Sequence, residues 1–200
     1  MNTVKTLSLG VCCLSLAFVG CGDNWKVKRT NPDQTTDVDY RFNDDDAREV
    51  VVRAMEDCLK RPWIDRFMAE NNGRRPIVYL ANVRNKTQDY SANPELFTTK
   101  IQEELLNSGR VQVKAERDQR QDLRDERLDT KYNDPATVKA VAKEVNADFA
   151  LTGQIIDNKQ RSNDGKTIVN YYEISLELID VEKTTKEWIK TVPLKKVAKR

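Results

Sequence analysis

The reactive side chains of this 200-residue sequence limit the kinds of catalytic and metal sites that it could form. The sequence contains no histidine, which excludes Ser-His-Asp and Cys-His nucleophile systems, imidazole general bases and His-containing zinc sites. Catalysis would therefore depend on carboxylates, Lys, Tyr or Cys58. Cys58 falls on an apolar stripe with the spacing of a core-facing helix, which favours a buried, inert thiol over a reactive or intermolecular one.

One segment ends like a phosphate-binding loop. Asp164-Gly165-Lys166-Thr167 matches the end of that motif, but the position five residues before Gly165 is Gln160 instead of glycine. The segment also joins two predicted strands, whereas the motif joins a strand to a helix. We therefore interpret it as a hairpin turn.

Carboxylates are the remaining candidates for catalysis or metal binding. Neighbouring acids such as Glu103 and Glu104 point apart on a helix, which favours a solvated surface over a glycosidase pair. A carboxylate-based cell-wall hydrolase remains an alternative. The run Asp44-Asp45-Asp46 lacks the alternating ligands and central glycine of an EF-hand, so it is interpreted as the first turn of a helix capped by Asn43. The sequence predicts no catalytic residue, metal or cofactor.

The N-terminus has the pattern of a secretory signal peptide. Lys5 precedes an uncharged stretch of 14 residues, 7–20, which is shorter than the ~20 residues that span a bilayer. Polar sequence begins abruptly after Cys21, and Val19-Gly20-Cys21 resembles the lipobox of bacterial lipoproteins. The resemblance implies that Cys21 is the lipidated first residue of the mature chain. Cys12 and Cys13 are alternative lipobox cysteines, and an ordinary signal peptide is the other alternative.

Charge and composition predict a single domain without affinity for nucleic acid. There are 34 Lys and Arg against 32 Asp and Glu, a net charge of +2, although 33% of residues are charged. Such a surface has no net field for binding a phosphate backbone. The 38% of hydrophobic residues suffices for one core, and the length is that of one domain with extensions.

The hydrophobic periodicity predicts an α+β fold. Helices are predicted to begin at Asn43, Pro62, Asn93 and Asp134, and strands to cover 76–83, 111–115, 148–156, 167–181 and 186–192. We expect a mixed sheet of about five strands flanked by helices, parallel early and antiparallel late. The organisation is a signal peptide at 1–20, a lipidated tether at 21–42, a globular domain at 43–196 and a basic tail at 197–200.

A charged arm interrupts the domain between the second and third predicted strands. Ten of the 14 residues from Glu116 to Asp129 are charged, so the arm, Glu116 to Lys131, cannot belong to the core. Four arginines recur every three or four residues and would form one ridge on a helix, where they could meet carboxylates of a partner: Arg117, Arg120, Arg124 and Arg127. The alternative is a solvated helix with internal ion pairs.

Motifs across the body resemble the LpoB family of lipoprotein activators of class A penicillin-binding proteins. The resemblance extends from Tyr40 to Lys196 and depends on the order and spacing of motifs that are weak individually. They are Arg41-Phe42-Asn43-Asp44-Asp45-Asp46, Arg61-Pro62-Trp63, Arg75-Pro76-Ile77-Val78, Val83-Arg84-Asn85-Lys86-Thr87, Leu106-Asn107-Ser108-Gly109-Arg110-Val111, Glu116-Arg117, Leu123-Arg124-Asp125-Glu126-Arg127, Asn146-Ala147-Asp148-Phe149-Ala150-Leu151-Thr152-Gly153 and Tyr172-Glu173-Ile174-Ser175-Leu176.

The resemblance implies a domain similar to the N-terminal domain of TolB and the periplasmic part of CsgG. It also implies a non-enzymatic regulator of peptidoglycan synthesis and cell shape, lipid-anchored in the outer membrane and facing the periplasm, that binds a class A penicillin-binding protein. The alternative is a CsgG-like structural or secretion-associated lipoprotein. That class needs pairs of long alternating strands, and only 167–181 approaches this length in the sequence.

The tether is shorter than in family members known to work this way. Residues 22–44 span at most ~80 Å when fully extended and roughly 26 Å as a flexible coil.

Overall fold

The computed structural model describes residues 26–32, 34–114, 139, 142–143 and 146–200. The chain divides into two units, Met1–Pro32 and Asp33–Arg200, and all helices and strands named below belong to the second. The elements in chain order are α1 (Asp44–Lys60), α2 (Trp63–Glu70), β1 (Ile77–Asn85), α3 (Pro94–Asn107), β2 (Gln112–Val113), β3 (Phe149–Arg161), β4 (Thr167–Asp180) and β5 (Lys186–Lys199).

The strands form one sheet in the order β2-β1-β3-β4-β5. β1 is parallel to both β2 and β3, whereas β3, β4 and β5 are successively antiparallel. The predicted α+β class, with a sheet that is parallel early and antiparallel late, is confirmed. Most of the helix predicted from Asp134 lies outside the described residues.

α1 begins where the acidic run predicts. The Asn43 side chain accepts from the Asp46 N–H, and the Asp46 carboxylate accepts from the Asn43 N–H, both at 2.9 Å. This capping box satisfies two backbone donors that helix geometry leaves without partners. The three aspartates therefore serve the helix start, as expected.

The main core lies between the helices and one face of the sheet. Along β4 the even-numbered residues from 170 to 180 are buried, and the odd-numbered ones are exposed or half-buried, as the alternation predicts. The helices contribute Val50, Val51, Met55, Cys58, Trp63, Ile64, Phe97, Ile101 and Leu105. A smaller cluster on the opposite face contains Ala81, Ala142, Ala147, Ala150 and Val181. No helix in the described ranges has the length and apolar character needed to cross a membrane.

Two strands are longer than the hydrophobic pattern predicts. β3 continues to Arg161, which pairs with Ile168, and β5 continues to Lys199, which pairs with Thr167. Residues 197–199, expected in a basic tail, therefore belong to the sheet. β4 also has two neighbours of similar length, contrary to expectation. The sequence does not reveal these extensions because residue types there do not follow burial. β3 is polar on both faces beyond Ile156, and in β5 the buried position is Lys196 whereas Val197 is exposed.

The segment that ends like a phosphate-binding loop is a hairpin turn, as predicted. Gly165 has a φ of +69°, a conformation that side chains disfavour. Its N–H donates to the Ser162 carbonyl at 2.9 Å, and the Asp164 carboxylate accepts from the Lys166 N–H at 3.0 Å. The turn joins β3 to β4 and has no helix to present to a phosphate.

Candidate functional site

The residues predicted to carry function lie outside the described part of the chain. These are the lipidation candidate Cys21 and the arginines of the charged arm, Arg117, Arg120, Arg124 and Arg127. The structure describes the surface from which the arm emerges, together with the residues considered for catalysis.

The Cys58 thiol is structural. Its side chain is fully buried, and burial raises its pKa to about 12, so the nucleophilic thiolate is not formed near neutral pH. The expected burial is confirmed. Within the residues that the structure describes, no group of three or more Cys, Asp or Glu side chains is placed to bind a metal ion.

The described residues on either side of the insertion that contains the arm, Lys114 and Asp148, both pair with the start of β1. Before the arm, the Lys114 N–H donates to the Val78 carbonyl at 2.9 Å. After it, the Asp148 N–H donates to the Ile77 carbonyl, also at 2.9 Å. Because β1 lies between β2 and β3, the two ends of the insertion flank the start of β1.

This end of the sheet contains a groove of about 600 Å³, here called the arm-side groove. It is lined by Phe67, Arg74, Ile77, Lys139, Lys143, Asn146, Ala147, Asp148, Asp180, Val181 and Glu182. Side chains of both signs line it, and its walls come from α2, the start of β1, the chain before β3 and the turn after β4.

Arg74 and Asp148 form a bidentate ion pair in the arm-side groove. Two guanidinium nitrogens of Arg74 each lie 2.8 Å from an Asp148 oxygen, and the guanidinium stands 4.8 Å from the centre of the Phe67 ring. Asp148 also accepts from the Ile77 N–H at 2.7 Å. The Arg74 side chain is 46% exposed, so a planar, fixed donor is presented to solvent, which suits recognition of a partner.

Two lysines are the other cations that line this groove. Lys139 and Lys143 are one helical turn apart, and the Lys139 ammonium donates to the Thr184 hydroxyl. The turn that carries Thr184 is held by Asp180, whose carboxylate accepts from the N–H groups of Glu182 and Lys183 at 2.9 and 2.7 Å.

A buried ion cluster that sequence reasoning missed fastens the segment before α1 to β5. The Lys196 ammonium lies 2.6 Å from Asp46 and 2.7 Å from Asp37, and it donates to the Arg41 carbonyl at 2.9 Å. Lys196 and Asp46 side chains are 9% and 8% exposed. The Thr36 N–H also donates to Asp45 at 2.8 Å. Part of the predicted tether therefore contacts the domain.

We expect Lys196→Ala to destabilise the domain by roughly 2 kcal/mol, because it leaves the Asp46 carboxylate buried without its cation. The cost is below that of a fully buried pair, since Asp37 is half exposed and Asp46 keeps its bond from Asn43. Urea unfolding measures the free energy of unfolding. Adding Asp46→Asn should recover part of the loss. A stability unchanged by Lys196→Ala would contradict this account.

The same cluster predicts a pH dependence for the Lys196→Ala defect. Burial raises the pKa of Asp46 above its ordinary value, although Lys196 opposes the shift. A carboxyl with a raised pKa binds a proton more readily in the folded state than in the unfolded state. Protonation of Asp46 therefore adds to the free energy of unfolding as the pH falls towards that raised pKa. The defect of Lys196→Ala should therefore shrink as the medium is acidified.

Comparison with known families and structures gives one family match. The model of the family described as peptidoglycan-synthase activator LpoB matches residues 46–194. No curated protein matches the chain.

Among solved structures, the LpoB C-terminal domain from Escherichia coli is 16% identical, covers 66% of this chain and 93% of its own, and superposes with a TM-score of 0.45. The corresponding domain from Salmonella enterica has the same identity and coverage and a TM-score of 0.44. Lipoprotein GNA1162 from Neisseria meningitidis is 11% identical, covers 61% of this chain and 83% of its own, and has a TM-score of 0.44.

Proposed function

This chain belongs to the LpoB family of non-enzymatic activators of class A penicillin-binding proteins, and from that premise we propose how it is anchored and how it contacts its synthase. The observation that carries the function is the family match, which extends from the first turn of α1 into β5 and so overlaps every helix and strand that the structure describes. Activation of a class A synthase in peptidoglycan synthesis follows from this membership.

The proposed anchor is a lipid on Cys21. The support is the 14-residue apolar stretch before it and the polarity switch after it, a pattern typical of lipoproteins. Two or three acyl chains suffice for stable attachment to a membrane. We place the protein in the outer membrane, facing the periplasm, because Gly22 at the second mature position is not an evident inner-membrane retention signal.

The proposed contact surface is the charged arm together with the arm-side groove. The arginine ridge would supply cations, and the exposed Arg74 guanidinium, paired with Asp148 where the chain returns to the sheet, would add a fixed planar donor. Long insertions into a compact domain are often functional. The sign of the ridge predicts an acidic patch on the synthase.

We expect charge reversal of Arg120 and Arg124, both to Glu, to slow association with the synthase and weaken binding about tenfold, since surface charges chiefly set the encounter rate. Surface plasmon resonance with a purified class A synthase from the same organism measures both constants. Glycan polymerisation by the synthase gives the functional readout. The matched control reverses Arg53 and Lys60 on the exposed side of α1, where they pair with Glu49 and Glu56.

The outcomes separate two claims. If the wild-type protein neither binds nor stimulates any class A synthase of its organism, the activator function is wrong for this chain. If it does both, and the double reversal changes neither, only the assignment of the arm as a contact is wrong.

A further inference from the structure

A second groove lies at the opposite end of β1, where the strand runs into the loop of residues 85–92. This loop-side groove has a volume of about 650 Å³. The loop forms one wall, the segment around Tyr40 forms another, and β3 and β4 contribute the rest. The arm-side groove flanks the start of β1 and this one its end, so the two sites are separated by the length of a nine-residue strand, about 27 Å.

The loop is rigidly built before any ligand arrives. The Asn85 amide donates to the carbonyls of Asp89 and Ala92, both at 3.0 Å, and its oxygen accepts from the Thr87 N–H at 2.9 Å. The Asp89 carboxylate points inward and accepts from the Phe42 N–H and the Tyr172 hydroxyl. Binding to such a loop loses little conformational entropy.

Side chains of the loop face solvent instead of packing against the domain, so they are available to contact a ligand. Tyr90 is 98% exposed, so folding of the domain does not account for its aromatic ring. Lys86 is also exposed, and its ammonium has no hydrogen-bond or ion-pair partner among the described residues. Across the groove, Lys159 lies 4.3 Å from the centre of the Tyr40 ring and donates to the Tyr40 hydroxyl at 3.0 Å.

The groove also contains a buried acceptor with no donor. Asn170 lines the groove and is 2% exposed. Its amide nitrogen donates to the Tyr172 hydroxyl at 2.6 Å, whereas its amide oxygen has no partner in the described part of the chain. Buried acceptors without donors are rare because they cost free energy. A hydroxyl or N–H of a ligand that enters this wall of the groove would supply the donor.

These features define the chemistry of a ligand that the groove would accept. Asn170 requires a hydroxyl or amide donor, Lys86 and Arg41 favour a carboxylate, and the exposed ring of Tyr90 offers a flat apolar face. The Asp157 carboxylate accepts further hydroxyl or amide donors. An amino sugar that carries a carboxylated peptide satisfies all of these groups. A simple anion would leave Asn170 and Tyr90 unused.

We propose that the loop-side groove binds the sugar-peptide unit of peptidoglycan, the polymer that the activated synthase produces. This inference rests on the proposed function and adds a ligand to it. Because the two grooves lie at opposite ends of β1, the activator can hold the synthase and the nascent polymer at once.

The test titrates the disaccharide-tripeptide unit of peptidoglycan into the full chain, purified in detergent, by isothermal titration calorimetry. We expect saturable binding by the wild type and at least about tenfold weaker binding by Tyr90→Ala combined with Lys86→Gln. Tyr90→Phe keeps the ring and should bind like the wild type. Lys100→Gln on α3 is the matched control and should also bind normally. Neither exposed side chain of the double variant supports the core, so the variant should remain folded.

The alternatives give different results. No binding of the unit by the wild type, or binding unaffected by the double variant, would overturn the proposal. Equal binding of the free tripeptide would show that the sugar is not recognised and would also overturn it. If the double variant loses synthase binding while the sugar-peptide unit never binds, the groove is a protein contact instead. Wild-type stimulation of the synthase, measured in parallel, tests the proposed function separately.

Discussion

Replacing Cys21 with serine is expected to transfer the protein from the membrane fraction to the soluble fraction. Serine cannot form the thioether that carries the lipid, and each lost acyl methylene removes about 0.8 kcal/mol of membrane affinity. Two or three chains therefore account for essentially all of the attachment. Fractionation of cells measures the distribution, and metabolic labelling with a fatty acid shows directly whether the chain is acylated.

The other two leader cysteines serve as controls for this experiment. Cys12→Ser and Cys13→Ser should remain membrane-bound and labelled, because both residues lie within the segment expected to be removed. If Cys21→Ser stays acylated in the membrane and one of the other substitutions releases the protein, the processing site has been placed wrongly.

The second large effect is expected for Trp63→Ala, which should lower the free energy of unfolding by about 3–5 kcal/mol. Trp63 is 2% exposed, and its ring packs edge-on against Phe149 with centroids 4.8 Å apart. Its indole N–H donates to the Cys58 carbonyl at 2.9 Å. The truncation would open a cavity between α2 and the sheet and remove that donor. Urea unfolding followed by circular dichroism measures the loss.

Two variants show whether this cost comes from packing. Trp63→Phe retains an aromatic ring and should lose clearly less stability than Trp63→Ala. Cys58→Ala removes a small buried group, so synthase activation should be retained. A folded but inactive Cys58→Ala protein would assign the thiol a function, and a Trp63→Ala loss below about 1 kcal/mol would show that the core closes around the gap.

The fold was predictable where one face of an element is buried and the other is solvated. β4 displays this alternation along most of its length, and the Asn43 cap marks the start of α1. Prediction of the structure failed where packing leaves no hydrophobic pattern in the sequence. Gly153 appears unremarkable in the sequence, yet a Cβ there would lie 2.4 Å from a Leu176 methyl carbon and 3.0 Å from the Ser175 carbonyl oxygen. Such a close approach of neighbouring strands is a property of the packed sheet.

For the candidate sites, the sequence indicated only a segment of unusual composition and not which residues come together in space. Charge density draws attention to the arm, but nothing in the sequence connects it to Arg74 and Asp148, which are 74 positions apart. The loop-side groove was missed because its components come from four separate segments and none forms a motif. Lys196 was likewise hidden, since its partner Asp46 is 150 positions away and a lysine in a strand suggests solvent exposure.

The ion pair between Lys196 and Asp37 limits how far the domain would reach from the proposed lipid on Cys21. With Thr36 and Asp37 held against the domain, the stretch between the proposed lipid on Cys21 and these contacts is residues 22–35, which span at most about 50 Å when fully extended. If Cys21 carries the proposed lipid, the domain would stay within about that distance of the membrane that holds the lipid. With the proposed anchor in the outer membrane, the periplasmic part of a synthase in the inner membrane would have to span the rest of the periplasm. Activation by this chain would thus respond to the spacing between the two membranes and would fall off where the envelope widens.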